Sequence, residues 1–348
     1  MARAVGSYAG HSGEDLTVQA AYHVIYSYTG VTAPSELLTL VREGKVGGII
    51  LYGENVSANL SSVMEEFQST YKQSPSYNGL PLLITTDQEG GEVRRVAGGP
   101  YLSEKQVGES SDPAAAATLA GQQAYQALYN KSINANLAPV VDVYRQPGDF
   151  TDEFQRSYGN TSTLVSECAP AFVKAQQAQR IIATAKHFPG LGAATAAQNT
   201  DEVPVTLNLT LNELRTIDMV PYKYVIAAGV KMVMPSWALY PALDPKMPSG
   251  LSPLWIQGEL RGRLGYKGVT ISDAIEAGAL EAFGDDGNRA VLASQAGMDI
   301  ILAASQNYTQ GSLVVDALVK ALKNGSLPMK QFNEATKRIL DLRAWLKK

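Results

Sequence analysis

Cysteine and histidine are scarce in this sequence, and their scarcity excludes two kinds of protein. The chain has one cysteine, Cys168, so it forms no intrachain disulfide and no cluster of metal-bound thiolates. Its three histidines, His11, His23 and His187, lack the H-E-x-x-H spacing that places two imidazoles on one helix face. We therefore expect neither a disulfide scaffold nor a zinc hydrolase, and no ligand cluster implies a metal or another cofactor.

Long apolar runs and an excess of one charge are also missing. The longest apolar runs, such as residues 46–52, are far shorter than the ~20 residues of a membrane span. The 29 Lys and Arg residues against 33 Asp and Glu residues give a net charge of −4, so a nucleic acid partner has little electrostatic support. Residues 1–12 lack the basic-then-apolar order of a signal peptide, which predicts a cytoplasmic protein unless a leader was removed.

The sequence does contain a regular alternation of two patterns. Eight short apolar runs are typical of buried parallel strands, and they cover residues 19–28, 47–52, 82–87, 134–143, 181–188, 230–236, 268–274 and 298–304. Most are separated by stretches with helical spacing, at residues 34–43, 113–129, 162–179, 211–228, 253–263 and 288–296. No linker or change of composition divides the chain. The pattern predicts an α/β fold with a single (β/α)8 TIM-like barrel that covers residues 1–348 as one domain.

The predicted helix at residues 211–228 has recognisable signals at both ends. Thr210 and Glu213 have the spacing of a capping box ahead of the apolar run. Gly229 stands directly after the run, where a helix commonly ends in a left-handed residue.

Ionisable residues end four of the apolar runs. Asp87, Asp142 and Asp273 each close one run, and Lys186 and His187 stand side by side at the end of another. In a (β/α)8 barrel the carboxyl ends of the strands form the face on which chemistry occurs. A single Asp after a strand is often a helix cap or a turn residue, and for Asp142, which precedes a Gln-Pro-Gly turn, both readings stay open.

Together these residues predict a pocket for a small ligand with many hydroxyl groups. Carboxylates accept hydrogen bonds from hydroxyls, whereas Lys, Arg and His donate to them, so a sugar fits this set. One carboxylate can also attack an anomeric carbon, as in a retaining glycosidase, and Asp273 is our candidate for that nucleophile.

Five motifs in order give the sequence a family resemblance. They are T-D-Q-E-G-G (86–91), N-L-A-P-V-V-D (136–142), R-S-Y-G (156–159), K-H-F-P-G (186–190) and I-S-D (271–273). With them the chain resembles glycoside hydrolase family 3, in particular its single-domain β-N-acetylglucosaminidase (β-hexosaminidase) type. The resemblance implies a TIM-like barrel in which Asp87, Arg156, Lys186 and His187 hold the hydroxyl groups of the sugar and Asp273 is the nucleophile.

The chain departs from this family where the family places its general acid/base. Single-domain members carry a D-x-H sequence on the loop after K-H-F-P-G, and the corresponding positions here are Gln198 and Thr200. Neither side chain transfers protons as an imidazole does. Asp201 and Glu202 lie close by, and a carboxyl with a raised pKa can replace the imidazole; the alternative is that they are solvated loop charges.

The predicted function is therefore that of a retaining exo-acting glycoside hydrolase, which removes a terminal β-linked N-acetylhexosamine or a related β-sugar from a small carbohydrate substrate. Two alternatives remain: a catalytically silent sugar-binding relative, and an enzyme that transfers the sugar to phosphate. Trp237 either stacks on a sugar face or packs in the interior. Glu92, where the family commonly has Arg, is a second departure, and the oligomeric state stays open.

Overall fold

The computed structural model describes residues 16–347. Residues 1–12, in which the sequence shows no signal-peptide pattern, lie outside the described part. The strands are β1 (Val24–Tyr26), β2 (Gly48–Leu51), β3 (Leu83–Thr86), β4 (Gln88–Gly90), β5 (Val93–Arg94), β6 (Ala135–Asn136), β7 (Ile182–Phe188), β8 (Met232–Pro235), β9 (Val269–Ala274) and β10 (Ile300–Leu302). Eight of these strands close a parallel barrel in the order β1-β10-β9-β8-β7-β6-β3-β2. The predicted barrel is confirmed, with one barrel strand inside each of the eight apolar runs.

Helices surround this barrel. They are α1 (Leu16–Ala21), α2 (Ser35–Arg42), α3 (Leu60–Tyr71), α4 (Glu104–Gly108), α5 (Pro113–Tyr129), α6 (Phe150–Glu153), α7 (Ser162–Gln177), α8 (Leu211–Glu213), α9 (Val220–Ala227), α10 (Asp286–Ala296), α11 (Tyr308–Lys323) and α12 (Met329–Trp345). Two π-helical segments (Leu214–Asp218, Leu254–Arg263) and three 3₁₀ turns (Gly53–Asn55, Ser249–Leu251, Gly278–Phe283) complete the helical layer. No helix within residues 16–347 is both long and apolar enough to cross a bilayer.

Apolar side chains fill both faces of the barrel strands. Ile25, Ile50, Leu83, Ile182 and Met232 are buried in one cluster formed by the strands themselves. The outward-facing residues of the same strands pack under the helices in two larger clusters. Because both faces are covered, the strands appear in the sequence as continuous apolar runs rather than as alternating ones.

Three predicted elements differ from the observed ones. Residues 19–21, placed in the first strand, belong to α1, where Ala20 and Ala21 pack inward. Only Ala135–Asn136 of the run 134–143 is regular strand, because Pro139 has no N–H to donate to a ladder. The helix predicted at 211–228 is divided into α8, a π-helical segment and α9, since Pro221 cannot continue the hydrogen bonding of a regular helix. Its capping box and the left-handed Gly229 are as predicted.

Strand β7 delivers two neighbouring side chains to the same end of the barrel. Successive residues of a regular strand point to opposite faces, but the pairing of β7 with β8 shifts register between Lys186 and Phe188. Such a bulge changes the direction in which a side chain points. Lys186 and His187 can therefore both face the carboxyl end of the barrel.

A buried amide holds the chain in place just after β3. The Asn136 side chain accepts a hydrogen bond from the Gln88 backbone N–H (2.9 Å) and donates to the Gln88 carbonyl (3.0 Å). It also donates to Oε1 of Gln176 on α7 (2.8 Å). Asn136 is fully buried, so no water can replace these bonds. This amide fixes the segment that carries Asp87 and Glu89.

Replacement of Asn136 by Ala should leave a buried N–H and a buried carbonyl of Gln88 without partners. We expect the variant to lose about 2–4 kcal/mol of unfolding free energy, measured as a lower midpoint of urea-induced unfolding. Asn212→Ala is the matched control, because Asn212 is exposed on α8 and should change stability little. Equal midpoints for the two variants would contradict this account of Asn136.

Candidate active site

One open cavity lies at the carboxyl ends of the barrel strands. Its volume of ≈ 520 Å³ is within the range of sites that hold small ligands. Six of the residues predicted from the sequence line it: Asp87, Arg156, Lys186, His187, Asp201 and Asp273. Glu202, the seventh, does not line the cavity.

A network of ion pairs forms the floor of this cavity. The Lys186 ammonium lies 2.8 Å from Oδ1 of Asp87 and 2.7 Å from Oε1 of Glu89. The Arg156 guanidinium donates from Nε and from a terminal nitrogen to the two Glu89 oxygens, both at 2.9 Å. Lys186 and Glu89 are almost fully buried. The two cations and two carboxylates therefore compensate one another where water is excluded.

These partners shift the protonation equilibria of the network. Burial alone would raise the pKa of Glu89, but the positive charges of Arg156 and Lys186 outweigh it and lower the pKa to about 2. Burial opposes the charged form of Lys186, yet the carboxylates of Asp87 and Glu89 keep its pKa above the ordinary value. Glu89 and Lys186 therefore carry opposite charges near neutral pH.

A third carboxyl, that of Glu104, interacts with this network. Glu104 is buried, and one of its oxygens accepts from the Val140 backbone N–H at 2.9 Å. Burial, and then the negative charge of Glu89, raises the pKa of Glu104 well above its usual range. The surroundings of Glu104 therefore favour its protonated form.

Asp142 holds His187 and the segment that follows it. Its Oδ2 lies 2.7 Å from Nδ1 of His187. Its Oδ1 accepts from the backbone N–H groups of His187 (3.1 Å) and Leu191 (2.7 Å). Asp142 is fully buried and bonds to a second chain segment, so it is more than the turn residue that the sequence left as one of two alternatives. It orients the imidazole through Nδ1 and leaves Nε2 available to the cavity.

Asp273 is the penultimate residue of strand β9, the next-to-last strand of the barrel along the chain. Its Oδ1 accepts a hydrogen bond from the Ala274 backbone N–H at 2.8 Å, and the residue is only partly buried. Trp237 donates from its indole nitrogen to the Ala274 carbonyl at 2.9 Å and is itself buried. Trp237 therefore packs beneath the Asp273 segment, and the stacking alternative is wrong because its ring has no exposed face.

The loop after K-H-F-P-G carries Asp201 into the cavity wall. The Asn199 side chain accepts from the Asp201 N–H at 3.1 Å and so shapes a tight turn. The Thr200 and Asp201 carbonyls accept from the N–H groups of Ala279 (3.1 Å) and Gly278 (2.8 Å). This loop is thus bonded to the segment that directly follows Asp273.

Gly278 permits that close docking. A Cβ atom built on Gly278 would lie 2.1 Å from the Glu202 carbonyl oxygen, far inside contact distance. Its backbone is not in the left-handed region, so the requirement is for space rather than for glycine's conformational freedom. Any side chain here would push the Asp201 loop away from the Asp273 segment.

The carboxyl of Asp201 has perturbed protonation. Asp201 is an exposed residue of the turn, and it lines the cavity together with Asp273. Removal of the carboxyl from water, and then repulsion by the Asp273 carboxylate, raises the pKa of Asp201 to about 6. Glu202 is exposed and does not line the cavity, and its carboxylate accepts from Asn199 Nδ2 at 3.2 Å.

Several cavity residues were missed by the sequence argument. Glu89 lies inside a quoted motif, and the glycine pair after it, with Gly91 at φ +56°, allows the tight β4–β5 hairpin that aims it inward. Arg95 lines the cavity, and its Nε is buried without a hydrogen-bond partner in the described chain. Glu276 and Tyr52 also line the wall. Spacing alone gives no signal for Arg95 and Glu276, since they do not end apolar runs; Tyr52 does end the run 47–52, but it is not one of the charged residues that mark the other strand ends.

Among residues 16–347, no group of three or more His, Cys, Asp or Glu side chains is arranged to hold a metal ion. On the cavity floor, Lys186 and Arg156 instead pair with Asp87 and Glu89.

Comparison with known proteins identifies relatives along nearly the whole chain. The family model "Glycosyl hydrolase family 3 N terminal domain" matches residues 23–342. An "Uncharacterized secreted glycosyl hydrolase" of Arthroderma benhamiae is 55% identical over 332 residues, which are 95% of this chain and 94% of that protein. A "Beta-hexosaminidase" of Stenotrophomonas maltophilia is 32% identical over 289 residues, 81% of each chain.

A solved structure extends this similarity to three dimensions. The glycoside hydrolase family 3 β-N-acetylglucosaminidase of Paenibacillus sp. superposes with a TM-score of 0.88 and 32% sequence identity. The match covers 96% of this chain and 63% of the Paenibacillus chain, so this chain spans less than two thirds of that protein.

The expected cytoplasmic location is contradicted by these relatives. The Arthroderma protein, with more than half of its aligned residues identical, is named as secreted. An export leader is cleaved from the chain that it directs, so the composition of the remaining residues does not report its former presence. The absence of a leader pattern in residues 1–12 was therefore no evidence of location.

The family, the fold and the enzyme class predicted from the sequence are all confirmed. The motifs that suggested them lie within the matched residues, and the barrel closes with the expected strand ends around one cavity. The chain belongs to glycosyl hydrolase family 3 and is a glycosyl hydrolase.

Proposed function

We propose that this protein is a retaining exo-acting glycoside hydrolase that removes terminal β-linked N-acetylhexosamine, with Asp273 as nucleophile. The observation that carries the proposal is the convergence of Asp273 with Asp87, Arg156, Lys186 and His187 on one cavity. A sugar-binding protein has no need for a partly exposed carboxylate beside its hydroxyl-binding groups. The N-acetyl group is inferred from the β-hexosaminidase and β-N-acetylglucosaminidase relatives.

The substrate would be held by charged groups that are already in position. Asp87 accepts hydrogen bonds from the sugar hydroxyls, and the cations Lys186 and Arg156 donate hydrogen bonds to sugar oxygens. Nε2 of His187 faces the same oxygens. Because these groups pair with one another before substrate arrives, little rearrangement is needed on binding.

Asp273 would act in two steps. Its carboxylate oxygen attacks the anomeric carbon while the bond from that carbon to the leaving oxygen breaks, which gives a covalent glycosyl-enzyme. Water then attacks the same carbon, releases the sugar and restores the carboxylate. Two displacements at one carbon retain the β configuration.

Asp201 would supply the proton that the missing imidazole supplies in relatives of the single-domain type. With a pKa of about 6, a substantial fraction of Asp201 is protonated in mildly acidic solution. The protonated carboxyl gives its proton to the leaving oxygen in the first step and takes one from water in the second. Removal from water, and then repulsion from Asp273, raises the pKa of Asp201, which suits it to the role of the acid.

All of these groups lie on the barrel, and we propose that residues 1–348 act as one catalytic domain. We also propose that the protein is exported, on the basis of its similarity to the secreted Arthroderma protein. The alternative of a silent sugar-binding protein is favoured by one observation, the absence of the loop histidine. Turnover of a chromogenic glycoside separates the two.

The first prediction concerns the nucleophile. The protein should hydrolyse p-nitrophenyl N-acetyl-β-glucosaminide with retention of configuration, followed by NMR of the first-formed anomer. Asp273→Ala should lower kcat by at least ~10⁴-fold, because no covalent intermediate forms. Calorimetric binding of N-acetylglucosamine without turnover by the parent protein would instead identify a sugar-binding protein, and phosphate-dependent product would identify a transferase.

The second prediction concerns the acid. For a substrate with a poor leaving group, kcat/KM should fall as pH rises through about 6, because the deprotonated Asp201 has no proton to give. Asp201→Ala should lower this rate by about 10²–10⁴-fold and remove the pH dependence. A dinitrophenyl substrate should still form the glycosyl-enzyme, and azide should restore its turnover as β-glycosyl azide.

Glu202→Ala is the matched control for that experiment, because it removes the adjacent carboxyl of the same loop. It should keep the parent rate and the parent pH profile. If the two alanine variants behave alike, Asp201 is not the acid.

The third prediction concerns the docking of the loop. Gly278→Ala should displace Asp201, because the new side chain clashes with the Glu202 carbonyl. We expect kcat/KM to fall about 10-fold or more for substrates with poor leaving groups and to change little for dinitrophenyl substrates. Gly258→Ala is the control, because a Cβ on Gly258 meets nothing within 4 Å. An equal loss on both classes of substrate would mean that Gly278 supports the whole cavity rather than the acid.

A further inference from the structure

Asparagine is distributed in this chain in a way that catalysis does not explain. The chain has 14 Asn residues, and seven are followed two positions later by Ser or Thr with no proline between. Ser and Thr make up 45 of the 348 residues, so about two such cases are expected by chance. The seven N-x-[ST] acceptor sequences for N-glycosylation are at Asn55, Asn59, Asn130, Asn160, Asn208, Asn307 and Asn324.

The fold excludes the first of these acceptors. Asn55 is fully buried, and its amide nitrogen donates to the carbonyls of Tyr28 (3.0 Å) and Gly30 (2.8 Å). Its oxygen accepts from the Tyr52 N–H at 2.8 Å. A sugar on that nitrogen would break these bonds and has no space, so a folded chain cannot carry it.

The other six acceptors are exposed, but the Asn side chains of two of them have structural roles. Asn307 accepts hydrogen bonds from both the backbone and the hydroxyl of Thr309 at the start of α11. Asn324 accepts from the Ser326 N–H at 2.9 Å at the end of the same helix. These two side chains explain their neighbouring Ser or Thr without any modification.

In four exposed acceptors, Asn59, Asn130, Asn160 and Asn208, the Asn side chain has no such role, although Thr210 of the Asn208 acceptor caps α8. Within residues 16–347 their side chains make no hydrogen bond to the protein, and they lie at turns that flank helices α3, α5, α7 and α8. None of them lines the cavity. Asn130 also follows Tyr129, a ring that is 63% exposed and that a bulky polar group would cover.

We propose that the exported protein is N-glycosylated at Asn59, Asn130, Asn160 and Asn208 and unmodified at Asn55. The Nδ2 atom forms a bond to the anomeric carbon of an oligosaccharide, and the bond from that carbon to a lipid diphosphate carrier breaks. The amide loses one proton and the lipid diphosphate leaves; the co-reactant is thus a lipid-linked oligosaccharide of the secretory pathway. This inference rests on the proposed export and is independent of the catalytic proposal.

Site mapping tests it on protein purified from the culture medium of its natural source. Enzymatic release of N-glycans in ¹⁸O water converts each occupied Asn to labelled Asp, which peptide mass spectrometry locates. We expect label at the four proposed positions and none at Asn55. Secreted protein without label at any of the four, or with label at Asn55, would overturn the proposal.

Variants give a second readout in the same host. Asn130→Gln and Asn160→Gln should each raise gel mobility by one glycan and leave kcat/KM unchanged, because neither residue lines the cavity. Ser57→Ala destroys only the Asn55 acceptor and should leave the mobility as it was. A mobility change in Ser57→Ala, or none in both Asn variants, would count against the assignment even if the protein is an active hydrolase.

Discussion

The site depends on one electrostatic constraint, the burial of Lys186 between two carboxylates. A buried ammonium is costly unless it is paired, and Lys186 is compensated by Asp87 and Glu89, the second of which is shared with Arg156. Removal of one member of such a network typically costs about 3–5 kcal/mol, because the charge that remains has lost its partner. The network therefore fixes the side chains of the cavity floor before any substrate binds, and the hairpin that carries Glu89 belongs to the catalytic face for that reason.

The proposed acid depends on a different kind of interaction. Within residues 16–347 no cation forms an ion pair with Asp201; its pKa is raised because its carboxyl is partly removed from water near the like charge of Asp273. Two backbone hydrogen bonds attach its loop to the segment after the nucleophile, and Gly278 leaves the space for them. A loop held beside the Asp273 segment can thus raise the pKa of a carboxyl, so that this carboxyl can take the acid role of an imidazole.

The barrel could be predicted largely from the sequence because its strands are buried on both faces and so appear as apolar runs. The prediction failed where a local chemical feature interrupts the pattern. Pro139 ends regular pairing early in the run 134–143, and Pro221 divides the helix predicted at 211–228. The first run also begins with helical residues, since periodicity alone does not distinguish a short buried strand from a buried helix segment.

By itself the sequence determined which ionisable residues end the strands, because that order is local: Asp87, Lys186, His187 and Asp273 each follow an apolar run. Only the tertiary structure decided which more distant groups meet them. It paired Glu89 with Lys186 and placed both oxygens of Asp142 in hydrogen bonds to the His187 segment. It also placed Asp201, but not Glu202, in the wall of the cavity. It likewise buried Asn55 while leaving other acceptors exposed. The physical reason is that charge pairing, desolvation and steric access depend on distances between chain segments, which residue spacing along one segment does not contain.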